Sequence, residues 1–141
     1  MLVGTTDEST HKLAAKILLD EIGLNPTIGQ QAIMWLDPND RKIKWVVGYD
    51  SFVGKTCQIH TANLGLKSMP RMLIWAGFDY PFNRCGIETV ISTVNSNNDR
   101  AMTYNSKLGF KEVFRFEKCH DDDGDIVVFK MNKADCRWIR G

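Results

Sequence analysis

Two patterns of apolar residues along the chain, one of spacing and one of residue type, predict helices and strands. Apolar residues recur about every three to four positions in the predicted helices, while β-branched residues concentrate in one central strand. The predicted helices are 8–22, the segment between Ser68 and Pro81, and 98–108, and the predicted strands are 30–36, 42–49, 55–63, 87–94, 111–119 and 125–132. Helices alternate with strands only in the middle of this order. The pattern therefore predicts a single α/β domain with a mixed sheet and antiparallel ends.

The ends of the predicted helices carry capping residues. Thr5 and Glu8 have the spacing of a capping box for the first helix, and Ser68 is a suitable cap for the second. Gly23 and Gly109 follow the first and third helices, where glycine adopts the left-handed conformation at little cost. Two helices carry an apolar face that we expect to be buried: Ala14, Ile17, Leu18 and Ile22 in the first, and Met72, Leu73, Trp75, Ala76 and Phe78 in the second.

Composition and charge limit the classes of protein to which the chain can belong. Of 141 residues, 43% are hydrophobic and 25% are charged, which is the makeup of one globular domain spanning 1–141. The net charge of +1 gives no overall attraction to nucleic acid or to an anionic membrane. The longest uncharged stretch, 22–36, contains Asn, Pro and Gln, so we expect no membrane span. Four widely spaced cysteines and a start without a secretory signal favour reduced thiols and a cytoplasmic location.

Few residues point to chemistry on their own. His60 falls on a predicted strand and could deprotonate an amine directly or through water, and the alternative is a half-exposed strand histidine with no such role. The acidic turn before Asp125 departs from a calcium loop, which requires glycine and glutamate where the chain has Ile126 and Asn132. We therefore expect a solvated hairpin turn and no metal site. The four tryptophans are scattered among apolar positions, which favours core packing over base stacking.

The segment 94–110 carries the most specific pattern in the chain. It reads VNSNNDRAMTYNSKLGF and resembles the fourth conserved stretch of the GNAT superfamily of N-acetyltransferases, whose pattern is N-x-x-A followed by K-L-G-F. Asn98 and Ala101 fill the first part, and residues 107–110 fill the second. The acidic turn and the strand after it are similar to the branch that includes the ribosomal-protein alanine acetyltransferases. The resemblance implies a GNAT-like domain, with a mixed central sheet splayed in the middle and helices on both faces.

The resemblance also implies an enzyme that moves an acetyl group from acetyl-CoA to a primary amine by direct attack. In the family, a loop with the pattern Q/R-x-x-G-x-G/A holds the pyrophosphate of coenzyme A on its backbone amides. With Gly65 as the first glycine, Ala62 stands at the Q/R position and Lys67 at the last small position, so the chain departs from the pattern at both ends. The residues that would bind the pyrophosphate on this alignment are Gly65, Leu66, Lys67 and Ser68.

Further site residues follow from the resemblance in the third predicted helix. Asn98 occupies the position that contacts the coenzyme A arm in the family. The register of the family's proton-donating tyrosine falls on Asn105, with Tyr104 one residue earlier. Because one residue turns a helical side chain by about 100°, either Tyr104 is a core or groove residue or the helix is locally rotated. The candidate catalytic residues are therefore His60 and Tyr104, and Asn98 and Asn105 join the candidates for cofactor binding.

A different class of function also fits the altered loop. A GNAT-fold protein without catalysis would serve as a structural or interaction subunit, for example in a phage assembly. The altered loop, the shifted tyrosine and the short segment before the first helix agree with that role. The expected partners are acetyl-CoA and an amine acceptor for an enzyme, and a second copy or an assembly partner for a subunit. Thermal stabilisation by acetyl-CoA distinguishes the two hypotheses.

Overall fold

Strands and helices follow one another in the computed structural model, which describes residues 1–140, in nearly the order that the sequence predicts. The strands are β1 (Leu2–Gly4), β2 (Gln31–Leu36), β3 (Ile43–Val53), β4 (Thr56–Asn63), β5 (Thr89–Asn95), β6 (Lys111–Phe116) and β7 (Ile126–Asn132). The helices are α1 (Glu8–Ile22), α2 (Arg71–Asp79) and α3 (Asp99–Leu108). β1 is an addition to the predicted strands, because three residues are too few to show a period. None of the helices in residues 1–140 is long and apolar enough to cross a membrane.

The strands form one mixed sheet in the order β1-β2-β3-β4-β5-β7-β6. Every neighbouring pair is antiparallel except β4 and β5, which run parallel and pair only over Thr56–Gln58 and Thr89–Ile91. Beyond these residues β4 continues along β3, and β5 continues along β7, so the two halves of the sheet diverge. The prediction of a mixed sheet splayed in the middle is confirmed, and β5 lies in the interior of the sheet as expected.

Helix α1 has the predicted bounds, but its cap is a different residue. Asp7, not Thr5, is the N-cap, and its Oδ1 accepts the backbone N–H of Thr10 at 2.8 Å. The Thr5 hydroxyl is engaged elsewhere, because it donates to the carbonyl of Ala32 in β2 at 3.2 Å. Gly23 ends the helix with φ of 69°, which confirms the predicted stop.

Helix α1 covers one face of the sheet, here called the α1 face. Ala14 and Leu18 are buried there against a second apolar layer formed by Ala32, Met34, Val46 and Ala62. Gly48 of β3 permits the close approach of the helix, since a Cβ at this position would lie 2.6 Å from Leu18 Cδ1. Ile22 is 43% exposed, so the buried stripe of α1 is narrower than the sequence predicts.

The main core lies on the opposite face, here called the α2 face, beneath α2 and α3. Helix α2 buries Leu73, Ile74, Gly77 and Phe78, whereas the predicted core residues Met72 and Trp75 are exposed. The predicted Ser68 cap is wrong, because Pro70 holds the cap position with no side-chain hydrogen bond. Proline is tolerated at this cap position, because the N–H that it lacks would have no partner within the helix in any case.

Pro81 widens the helix where the sequence predicts a break. The chain continues from α2 into a π-helical turn, Tyr80–Arg84, in which the Cys85 N–H bonds to the Tyr80 carbonyl at 3.0 Å. Pro81 cannot donate to the carbonyl of Gly77 four residues earlier. That carbonyl instead accepts the hydroxyl of Tyr49, a fully buried residue of β3, at 2.6 Å. The proline thus frees an acceptor that satisfies a buried phenol.

Helix α3 begins and ends as predicted. The Asn98 side chain caps it by accepting the Ala101 N–H at 3.1 Å, and Gly109 ends it with φ of 105°. Beyond β7, Trp138 Nε1 donates to the carbonyl of Leu108 at 2.8 Å, which holds the segment around Trp138 against the end of α3. Helices therefore lie on both faces of the sheet, as the resemblance implies.

Candidate active site

A cleft of about 420 Å³ opens where β4 and β5 part. Pairing between these strands stops at Gln58 and Ile91, so their facing edges beyond this point carry backbone groups that do not bond to each other. Such edges can receive an extended polar ligand as an additional strand-like segment. The cleft reaches from Gly23 at the end of α1, past β4 and β5, to α3 on the α2 face. It therefore connects the two faces of the sheet.

His60 of β4 lines the cleft and is paired with a buried carboxylate. Its Nε2 lies 2.8 Å from Oδ1 of Asp50, and the two side chains are 13% and 4% exposed. Gly48 pairs with His60, and Asp50 pairs with Gln58, so the two side chains are diagonal neighbours on the α1 face. A carboxylate only accepts hydrogen bonds, which makes Nε2 the donor and leaves the lone pair of the ring on Nδ1. In the neutral ring, Nδ1 therefore keeps a free lone pair.

One further polar residue, Gln30, is buried near this pair, and neither Gln30 nor Asp50 was predicted from the sequence. Gln30 precedes Gln31, which pairs with Tyr49, so it faces the Asp50 position across β2 and β3. Neither side-chain amide atom of Gln30 has a hydrogen-bond partner within residues 1–140. The sequence does contain a signal for Asp50. Side chains alternate along a strand, so Asp50 lies on the same face as Val46 and Gly48, where an apolar residue is expected.

Helix α3 brings both of its candidate residues to the cleft. Asn105 Nδ2 donates to the Ser92 hydroxyl at 3.1 Å and so ties the helix to β5. Tyr104 lines the cleft and packs against Trp45, with ring centroids 6.3 Å apart. Burial raises the pKa of Tyr104 above its usual value, and the backbone N–H of Met69 acts in the opposite direction. The phenol therefore keeps its proton at neutral pH, as a general acid requires.

The loop before α2 is shaped by one side chain. Asn63 Oδ1 accepts the backbone N–H groups of Gly65 and Leu66 at 3.0 and 2.9 Å, and Asn63 Nδ2 donates to the Leu66 carbonyl at 2.7 Å. These two amides are therefore already engaged. Lys67 and Ser68 are exposed, and no hydrogen bond of their amides is found within residues 1–140. Of this loop, Met69 is the residue that reaches the cleft.

Comparison with known proteins gives structural neighbours only. No family model and no curated protein sequence matches the chain. Spermidine N-acetyltransferase from Vibrio cholerae, in complex with CoA and spermine, aligns with a TM-score of 0.75 at 11% identity over 99% of this chain and 98% of that one. A GNAT-family acetyltransferase from Bacillus anthracis aligns with a TM-score of 0.61 at 15% identity over 74% and 66% of the two chains. The chain has the GNAT fold. Ribosomal-protein-S5-alanine acetyltransferase from Vibrio fischeri shares that fold, with a TM-score of 0.67 at 14% identity over 92% and 73%.

The candidate site residues lie in two neighbouring regions, the cleft and the loop before α2. His60, Asn98, Tyr104 and Asn105 line the cleft, whereas Gly65, Leu66, Lys67 and Ser68 form the neighbouring loop outside its lining. The offset of one residue in α3 does not remove the tyrosine from the site, because Tyr104 and Asn105 both reach the cleft.

The acidic hairpin turn closes over the end of β5. Asp122 accepts the Nδ2 group of Asn95 at 2.9 Å, and this bond lowers the pKa of the Asp122 carboxyl. Gly124 of the turn is buried against β5, and only glycine fits there because a Cβ would overlap Oδ1 of Asn95. Within residues 1–140, no group of three or more His, Cys, Asp or Glu residues could hold a metal ion. The turn thus packs against the rim of the cleft.

Proposed function

We propose that the chain is an N-acetyltransferase that moves an acetyl group from acetyl-CoA to a primary amine by direct attack. The observation that carries the proposal is the His60–Asp50 pair in the wall of a cleft that opens between two parted strands. Neighbours of the same fold support it, since they are acetyltransferases and one was solved with CoA and spermine. The acceptor class proposed here is accordingly an amine.

The parted strands supply the binding groups for acetyl-CoA. Its extended arm would pair with the free edge of β4 beyond Gln58, and a backbone amide there would stabilise the oxyanion that forms on the acetyl carbonyl. Asn98 uses its Oδ1 to cap α3, which leaves its Nδ2 group to donate to the arm. Because Asn63 already accepts the Leu66 N–H, the amides of Lys67 and Ser68 remain in this loop as donors to the pyrophosphate.

The side chains in the cleft supply the proton transfers. The attacking amine must first lose a proton, and Nδ1 of His60 accepts it while Asp50 stabilises the cationic ring. The amine nitrogen then bonds to the acetyl carbon, and the carbon–sulfur bond breaks. Tyr104 gives its proton to the departing thiolate, and the second proton that leaves the amide nitrogen restores the phenol through solvent. The reaction yields an amide and free coenzyme A without a covalent enzyme intermediate.

A second candidate function is favoured by the loop. Because Asn63 occupies the amides of Gly65 and Leu66, fewer donors remain for a pyrophosphate than the family's loop pattern provides. A GNAT-fold structural or interaction subunit, which binds no coenzyme, would tolerate that change.

Calorimetric titration with acetyl-CoA distinguishes the two functions. The enzyme hypothesis predicts binding by the wild type, clearly weaker binding by Lys67→Glu, and only a modest change in Lys67→Ala, since the lysine adds a solvent-screened charge. Lys55→Glu is the matched control, because Lys55 is also exposed but lies beside the paired ends of β4 and β5. Absence of binding in the wild type supports the subunit. Where acetyl-CoA binds, mass spectrometry of a panel containing spermine, an alanyl peptide and free lysine identifies the acceptor.

A further inference from the structure

The outer hairpin of the sheet, β6–β7, carries an aromatic surface that no helix covers. Val127, Phe129 and Met131 of β7 are buried in the core on the α2 face. The alternate residues of β7 therefore lie on the α1 face. Helix α1 packs on β2, β3 and β4, so it does not cover the α1 face of the β6–β7 hairpin.

Four apolar residues form this open surface, here called the hairpin patch: Phe114 and Phe116 of β6 with Val128 and Ile126 of β7. Phe114 pairs directly with Val128, and Phe116 with Ile126, so all four side chains share one face. Phe114 is 56% exposed, and its ring stands edge-on to that of Phe116 with centroids 4.8 Å apart. Strand β6 is also an edge of the sheet, and each of its residues is exposed. A contiguous apolar surface on an edge hairpin is typical of an interface.

Charge is separated along the same hairpin. At the end far from the turn, Lys111 pairs directly with Lys130, which places like charges side by side. At the other end, the turn contains Asp121 and Asp123. None of these four side chains has an ion-pair partner in the part of the chain that the structure describes. The hairpin is therefore basic at one end, apolar in the middle and acidic at the turn.

In the middle of the hairpin, the only cation is held by carboxylates, and the three groups together carry a charge of −1. The Arg115 guanidinium is bound by two carboxylates, Glu112 at 2.8 Å and Asp125 at 3.3 Å. The unpaired charges of the hairpin lie on either side of the patch: two lysines at one end, and the aspartates with Glu117 and Lys118 at the turn, where the sum remains negative.

We propose that the hairpin patch is the interface with a second copy of this chain, related by a two-fold axis close to Phe116 and Ile126. An antiparallel arrangement of two identical hairpins covers both patches at once. It also brings the Lys111–Lys130 end of each copy to the acidic turn of the other. A two-fold interface repeats every contact, so each complementary charge contact occurs twice. The like-charged lysine pair then gains the carboxylates that its own chain does not supply.

Sedimentation velocity over a concentration series at low salt tests the proposal. The wild type should form a dimer, and the dimer should weaken as salt is added. Phe114→Ser should shift the protein to monomer. Val53→Ser is the matched control, because Val53 is 71% exposed but lies at the far end of β3. This control should keep the wild-type dissociation constant.

A charge-reversal pair tests the orientation of the two copies. Lys111→Glu and Asp121→Lys should each raise the dissociation constant of the dimer by about tenfold or more, because each places like charges across the interface. The double variant should restore the dimer, since the reversed residues meet each other across the axis. Lys111→Glu also relieves the repulsion from Lys130 within the chain, so a loss of association cannot be attributed to unfolding if its melting temperature is unchanged or raised.

Three results would overturn the proposal. The first is a wild type that stays monomeric at every concentration, which would leave the patch for a different partner or for none. The second is a dimer that Phe114→Ser does not weaken. The third is a double charge reversal that adds the losses of the two single variants, since that excludes the antiparallel arrangement.

Discussion

Replacing Gly48 by alanine should destabilise the chain through a single neighbour, Leu18 of α1. The added Cβ would lie 2.6 Å from Leu18 Cδ1 and 3.7 Å from two further carbons of the same side chain. Leu18 is fully buried, so its side chain has no solvent-exposed position to which it can move. Either α1 shifts away from the sheet or the leucine takes an unfavourable rotamer.

The magnitude follows from two opposing effects. Overpacking of a tight core costs about 1–3 kcal/mol. Alanine also restricts the unfolded chain, which returns about 0.4–1 kcal/mol. The net loss expected for Gly48→Ala is therefore about 1–2 kcal/mol in the free energy of unfolding. Leu18→Ala alone should cost more, about 3 kcal/mol, because it leaves a cavity between α1 and β3.

The double variant separates this contact from a general effect of the substitution. With Leu18 shortened, the new methyl group at position 48 enters the cavity, so Gly48→Ala should become neutral or slightly stabilising. Urea unfolding of the wild type, both single variants and the double variant gives the coupling energy, provided that the m-values agree. A double variant whose loss equals the sum of the single losses within about 0.5 kcal/mol would refute the proposed contact.

Three further predictions concern single positions. Gly109→Ala should lower the melting temperature, since alanine at φ of 105° costs about 1 kcal/mol or more, and a thermal scan with unchanged midpoint would contradict the left-handed stop. Asp7→Ala should destabilise the fold at neutral pH, whereas Asp7→Asn keeps the cap. Because the Thr10 amide lowers the pKa of Asp7 below 3.8, that loss should become smaller as the pH falls through the lowered pKa, and a loss independent of pH would argue against the carboxylate cap. Alkylation followed by mass spectrometry should label the exposed Cys119 first, because burial raises the pKa of Cys57 to about 12, and equal labelling of both thiols in the native state would contradict the burial of β4.

The sequence predicts local structure well where one residue determines it. Gly23 and Gly109 stop helices because their backbone conformation excludes most other residues, and Asn98 caps α3 with its own side chain. The prediction fails where a second segment decides the outcome. Ser68 is a good cap in isolation, but the helix starts later, beyond Pro70.

In the candidate site, too, single residues can be predicted from the sequence, whereas their partners from other segments cannot. His60 can be identified as a candidate from its place on a strand, but its partner Asp50 is ten residues away and depends on the register of β3 and β4. A one-residue slip in that register would move Asp50 to the other face of the sheet. Similarly, the amides of the loop after β4 look available in the sequence, and only the structure shows that Asn63 engages two of them.

Release of coenzyme A from acetyl-CoA in the presence of an amine tests the proposed function most directly. We expect the wild type to release coenzyme A and to form acetylated amine in equal amounts. His60→Ala should lower the rate by a factor of about 10² or more, as expected for the loss of a general base, while calorimetry still shows acetyl-CoA bound. A wild type that releases no coenzyme A above the buffer rate, or a His60→Ala variant that transfers acetyl groups at the wild-type rate, would contradict it.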